Sequence, residues 1–164
     1  MKSIYKITFL LLLYPFMVSA HMDEKNHEKN RIIKKEYKVN TDAKVAIDNR
    51  YGNLNITTWD KNRVEIEVTI TVKGDDLESV KDKLADIDVD FESSLGLVFA
   101  KTRFEKEQKS WSFWKKNDNI SYQINYKVKM PKTNTVDLNN DYGSIYLDNL
   151  SGKADIKCQY GKIY

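Results

Sequence analysis

The sequence is poor in the residues that most often carry chemistry. Its 164 residues include one cysteine, Cys158. An intramolecular disulfide is therefore impossible, and metal sites built on spaced cysteines are excluded with it. There are two histidines, His21 and His27. Both precede the first patterned segment, so Ser-His and Cys-His catalytic arrangements have no base to draw on. Charge of one sign is also scarce, with 27 Lys and Arg against 24 Asp and Glu and a net charge of +3. A balanced, evenly mixed chain lacks the electrostatic footprint of a nucleic-acid binder. No nucleic-acid partner is expected.

Long apolar runs are absent except for one, residues 7–18 within "MKSIYKITFLLLLYPFMVSA". Lys2 and Lys6 precede it, and Ser19 and Ala20 follow. This is the layout of a secretory signal peptide cleaved after Ala20. The alternative is an N-terminal membrane anchor, for which the run is short against the ~20 apolar residues of a bilayer span. No cysteine stands directly after the run, which argues against a lipid-anchored precursor. Cleavage removes two lysines and no acid, so the mature net charge falls to +1. The expectation is an exported protein, with no transmembrane helix after cleavage.

What is present is alternation. Residues 21–30, "HMDEKNHEKN", are polar after Met22 and read as a flexible tether, leaving 31–164 as one β-strand-repeat domain. In "RVEIEVTITVK" Val64, Ile66, Val68, Ile70 and Val72 share one face. In "ISYQINYKVKM" Ile120, Tyr122, Ile124, Tyr126, Val128 and Met130 do the same, and Pro131 closes the run. Period-2 patterns rich in β-branched and aromatic residues predict half-buried antiparallel strands. Residues 95–104 predict another, and "IDVDF" alternates too. Between them "DDLESVKDKLADI" spaces Leu77, Val80, Leu84 and Ile87 by three and four, predicting one amphipathic helix with Asp75 as N-cap and Glu78 three positions on.

A frame recurs three times: "VAIDNRYGNLNI" from residue 45, "VDLNNDYGSIYL" from 136 and "ADIKCQYGKIY" from 154. Aligned, the copies give columns Val45–Val136–Ala154, Ile47–Leu138–Ile156, Asn49–Asn140–Cys158, Tyr51–Tyr142–Tyr160, Gly52–Gly143–Gly161 and Leu54–Ile145–Ile163. The match of the first two extends upstream, Tyr37 and Val39 falling opposite Val128 and Met130. The inward positions step by two as far as the tyrosine and then by three, so each copy reads strand, bend, strand. Glycine is the residue best able to take a bent or positive-φ conformation at that break. The second and third copies lie 18 residues apart, a coil length that suits a β-solenoid with piled columns. The fold class expected is mainly β, a solenoid-like repeat with antiparallel strands and one short helix. A β-sandwich in which Tyr-Gly marks hairpins is the alternative. Tyr164 stands one residue short of the last inward position with no polar cap after it, so the chain is expected to be part of a longer repeat protein.

The signal peptide, the "I-x-N-x-Y-G-x-L-x-I" frame of 47–56, the following "TTWDKNRVEIEV" and the later Tyr-Gly copies together resemble the putative-adhesin family of bacterial β-strand-repeat proteins. That family is itself similar to the heads of autotransporter adhesins, and its function is largely uncharacterised. The resemblance covers residues 31–164 and implies a right-handed β-solenoid in the cell envelope or at the cell surface, with no catalytic, cofactor or metal residues to carry over. The abrupt third copy and Cys158 in the asparagine column depart from the pattern.

Two surfaces remain for function. Outward columns place Asp137 with Asp155, and Asp48 with Asn139 and Lys157. Some carbohydrate-active β-solenoids work through such carboxylates; the alternatives are a solvated face of mixed charge or a calcium site. "KSWSFWKKN" (109–117) sets Trp111, Phe113 and Trp114 beside Lys115 and Lys116 in a connection between strands. It is the candidate binding patch, a platform for sugar rings or a membrane-interface anchor, unless the rings fold back over the sheet. Cys158 alternates inward with Ala154 and Ile156, as a small apolar residue would, or is a reactive thiol. The function expected is a non-catalytic adhesin-like module without cofactor, recognising an unidentified macromolecule or glycan; carbohydrate binding or turnover is the second expectation.

Overall fold

The structure is a computed structural model and describes residues 27–105 and 119–164. Its elements are β1 (His27–Lys38), β2 (Lys44–Arg50), β3 (Leu54–Trp59), β4 (Arg63–Gly74), α1 (Leu77–Asp86), β5 (Ile87–Ser93), β6 (Leu97–Phe104), β7 (Ser121–Pro131), β8 (Thr135–Asp141), β9 (Ile145–Leu147) and β10 (Ala154–Gln159). They form two mixed five-stranded sheets, ordered β1-β4-β7-β3-β9 and β10-β8-β2-β6-β5. The protein is mainly β with one helix.

Alternation explains the first sheet. Val64, Ile66, Val68, Ile70 and Val72 of β4 are buried, while the residues between them reach the surface. β4 pairs antiparallel with β1 and with β7, whose Ile124, Tyr126, Val128 and Met130 are buried on the same face. Inward residues of both sheets, among them Val45, Ile47, Val98 and Leu138, join these in one apolar cluster. Each fully buried aliphatic side chain contributes about 1.5–3 kcal/mol.

Three local expectations need correction. β1 begins at His27, so the last four residues of the expected polar tether are paired strand, against Asn30↔Thr71 through His27↔Gly74. The helix N-cap is Asp76, not Asp75: Asp76 is extended and its carboxylate accepts the Ser79 N–H at 2.9 Å. The upstream match of Tyr37 with Val128 is not a spatial column, because β1 and β7 flank β4 on opposite sides. Both strands need the same alternation to pair with β4, and this suffices to make their sequences agree.

The repeat frame, by contrast, is a spatial register. β2, β8 and β10 are parallel neighbours with Val45↔Val136↔Ala154, Ile47↔Leu138↔Ile156 and Asn49↔Asn140↔Cys158. On the far side of the bend, β3 and β9 pair with Leu54↔Ile145, and Ile145 bridges to Ile163. Each Tyr-Gly carries the chain from one sheet into the other. It is a corner between sheets, not the turn of a hairpin.

Candidate functional site

The corner is built differently from the bend read in the sequence. The positive φ falls on the tyrosines, 63° at Tyr51, 59° at Tyr142 and 54° at Tyr160, and on none of the glycines. A bulky residue there is strained by about 1–3 kcal/mol, so the surroundings must offset it. The rings do so in part: Tyr51 stacks on Tyr142 with centroids 5.3 Å apart and planes 9° apart, and Tyr142 on Tyr160 at 4.8 Å and 11°. Parallel rings at the strand spacing follow from in-register pairing.

Glycine is required for another reason, close approach. A Cβ on Gly52 would stand 1.9 Å from the Ile124 carbonyl oxygen, one on Gly143 1.9 Å from Gly52 O, and one on Gly161 2.0 Å from Gly143 O. Those same carbonyls accept a side-chain donor from the layer above. Asn49 Nδ2 donates to Ile124 O at 3.1 Å, Asn140 Nδ2 to Gly52 O at 2.9 Å, and the Cys158 thiol to Gly143 O at 3.3 Å. Asn49 Nδ2 also donates to Asn140 Oδ1 at 3.0 Å, and the Thr102 hydroxyl donates to Asn49 Oδ1 at 2.9 Å. Thr102 and the buried Tyr126 hydroxyl share a 2.8 Å bond, and burial pushes the Tyr126 phenol above its usual range. Cys158 is thus half-buried on the inward column, in the place of an asparagine.

Around Tyr51 the rings of Tyr122 (5.1 Å, 78°) and Phe104 (6.1 Å, 82°) pack edge to face. Arg50 lies 5.3 Å over Tyr51, and Lys83 lies 4.8 Å over Tyr122 and 5.0 Å over Phe104. Burial, then the neighbouring Tyr51, raises the Tyr122 phenol. Two grooves flank this cluster. One, of about 490 Å³, has Tyr51, Tyr122 and Tyr142 as walls and Asn53, Ser121 and Gln123 among its polar groups. The other, of about 550 Å³, is lined by Arg50, Lys101, Arg103, Asp48 and Asp141 together with Phe104. Its charges are paired: Arg50 with Asp141 at 3.6 Å, Lys101 with Asp48 at 3.1 Å and Arg103 with Asp90 at 3.0 Å. Asp90 holds the Arg103 guanidinium above its ordinary value.

Of the outward carboxylates, Asp137 and Asp48 are likewise in ordinary pairs, and Asp155 stands opposite Asp137. Asp137 meets Lys44 at 2.6 Å, and Asp48 also accepts from Asn139 Nδ2 at 3.0 Å. Among the described residues no group of three or more His, Cys, Asp or Glu could hold a metal ion. No helix among them is long and apolar enough to cross a membrane. Trp111, Phe113, Trp114, Lys115 and Lys116 lie outside the described residues.

The structure therefore brings together Asn49, Asn140 and Cys158, and Tyr51, Tyr142 and Tyr160, as the columns required. Sequence reading did not assign Tyr122, Phe104 or Thr102 to this corner, nor the outward stack of Tyr146 on Tyr164 at 4.8 Å and 4°. Thr102 carried a signal: it follows Val98 and Ala100 in inward alternation, and an inward hydroxyl demands a polar partner.

Fold and corner define a mainly β, two-sheet protein carrying an in-register tyrosine column. No family model and no curated protein matches the chain. Among solved structures it is similar to a "putative adhesin" of Bacteroides fragilis, 17% identical, covering 81% of this chain and 52% of that one with a TM-score of 0.44. It is also similar to a "putative cell adhesion protein" of Clostridium sporogenes (11% identical, 73% and 50% covered, TM-score 0.36). A third is a "putative lipid binding protein" of Parabacteroides distasonis (10% identical, 77% and 50% covered, TM-score 0.31). The chain spans about half the length of each of these proteins.

Proposed function

We propose that this chain is an exported, non-catalytic, adhesin-like interaction module of the bacterial cell envelope, with residues 1–20 as its signal peptide and a right-handed β-solenoid as its scaffold. The observation that carries the reading is the parallel, in-register stacking of the three Tyr-Gly copies. Stacked coils present long columns of like side chains, a surface suited to extended contact with another macromolecule. Asp137, Asp141 and Asp48 are each paired with a cation, Lys44, Arg50 and Lys101, instead of converging on a reacting centre, and this favours binding over turnover. The exposed tyrosines are the contact points: Tyr142 is 49% and Tyr160 77% exposed.

The direct test is retention of the labelled full chain on intact bacterial cells and on isolated envelope polysaccharide. Tyr142→Ser with Tyr160→Ser is expected to lower retention at least tenfold while the far-ultraviolet circular dichroism stays unchanged. Unchanged retention would contradict the role given to the tyrosine corner.

One observation favours a second reading, carbohydrate binding. The groove walled by Tyr51, Tyr122 and Tyr142 joins ring faces and edges to amide and hydroxyl groups, the combination that recognises a sugar ring. Calorimetric titration with neutral oligosaccharides separates the two readings, since Tyr122→Ala should abolish heat only if this groove is the sugar site. Trp111→Ala with Trp114→Ala tests the 109–117 patch in the same assay.

A further inference from the structure

We infer that the open edge formed by β10 and Ile163 is an interaction surface for one further coil. The occupant is a polypeptide segment reading apolar-x-apolar-x-Asn-x-Tyr-Gly-x-apolar, laid down parallel and in register. The inference deepens the reading above and rests on its solenoid part.

The interface it continues is already present twice in the molecule, and its rules can be followed one step outward. β10 ends its sheet, with β8 on one side and no further strand among the described residues on the other. Tyr51 N–H donates to Asp141 O at 2.8 Å and Tyr142 N–H to Gln159 O at 2.9 Å, so Tyr160 N–H is the next donor of the series. Leu54 N–H donates to Ser144 O at 3.0 Å and Ile145 N–H to Lys162 O at 2.9 Å, which makes Ile163 N–H the next on the second arm. The parallel ladder alternates, so Ala154, Ile156 and Cys158 turn their backbone groups to the open side.

Side chains repeat the same offer. Ile124 O, Gly52 O and Gly143 O each take one donor from the layer above, and Gly161 O is the fourth carbonyl of that series. An asparagine at the column position satisfies it. A glycine must lie over Gly161 O, because all three existing corners would place a Cβ within 2.0 Å of the carbonyl beneath. Tyr160 at 77%, Tyr164 at 60% and Ile163 at 53% exposure leave two ring faces and an aliphatic side chain for the next layer to cover.

Charge selects among segments of this frame. The new coil meets Asp155 and Lys157 in the outward columns. A segment reading like the first copy puts Ala46 opposite Asp155 and Asp48 opposite Lys157; one reading like the second copy puts Asp137 against Asp155. The first is favoured, since Asp155 already stands opposite Asp137 and a further carboxylate in that column would add to the repulsion. Residues 45–56, "VAIDNRYGNLNI", are therefore the probe.

The experiment titrates the fluorescein-labelled 45–56 peptide with the full chain and follows anisotropy. Saturable binding is expected, weakened at least tenfold by Gly52→Ala in the peptide, where the added Cβ meets Gly161 O. Register is read through Cys158, the one thiol of the chain. Peptides carrying Cys at position 49 should form a disulfide with it at least tenfold faster, under an added oxidant, than peptides with Cys at 48 or 50. No saturable binding, equal binding of the Ala peptide, or equal crosslinking at the three positions would overturn the inference. So would a dimer of the chain through this edge that the peptide fails to displace. Retention on cells is a separate readout, so failure here with retention intact removes this inference and leaves the proposed role standing.

Discussion

A tyrosine at positive φ beside a glycine at negative φ inverts the usual division of labour at a bend. The glycine is kept for space, not for torsion. Gly143→Ala must push its Cβ off Gly52 O or separate the two corners, so it should destabilise by about 3 kcal/mol or more in urea unfolding. Gly96→Ala meets nothing within 4 Å and should stay within about 1 kcal/mol of the parent. The network behind the corner sets a pH limit. Burial raises the Tyr126 phenol, so the folded state keeps a proton that the unfolded chain releases near pH 10. The stability this represents is complete below about pH 10 and is lost as the pH rises above it. Tyr126→Phe should flatten that alkaline decline, measured as the thermal midpoint between pH 9 and 11.

At the scale of elements the asparagine column grades from core to edge. Asn49 bonds Ile124 O, Asn140 and Thr102; Asn140 bonds Gly52 O and Asn49; Cys158 offers a weak thiol donor. Alanine substitution should therefore cost about 2–3 kcal/mol at Asn49, about 1–2 at Asn140 and under about 1 at Cys158, read from urea midpoints. The columns of this element were legible in the sequence because parallel strands paired in register place like residue types side by side. The strands β4 and β7 and the helix were legible because period 2 and period 3.6 leave different marks. Two things were not. Whether the backbone strain sits on Tyr51 or Gly52 depends on how near Ile124 comes, and Ile124 is far along the chain. Tyr122 and Phe104 join the corner through pairing of β7 and β6 with other strands, which no local pattern records.

For the whole molecule, the first and second copies are 91 residues apart yet share a hydrogen-bonded column, with β4, α1 and their neighbours built between them. The stack ripens from one end: Val45 and Val136 are fully buried, and their column partner Ala154 is exposed. Amide hydrogen exchange should follow that order, slowest in β2, intermediate in β8 and fastest in β10, because each inner strand opens only after the outer one. Equal protection of β2 and β10 would mean that the edge is already covered in solution. The central claim is that three distant Tyr-Gly copies form one in-register stack, and ring contacts report it most directly. In a nuclear Overhauser spectrum of tyrosine-labelled protein, Tyr142 ring protons should show cross-peaks to both Tyr51 and Tyr160 and none should link Tyr51 to Tyr160. Tyrosine rings that contact only residues within their own copy would contradict the stack.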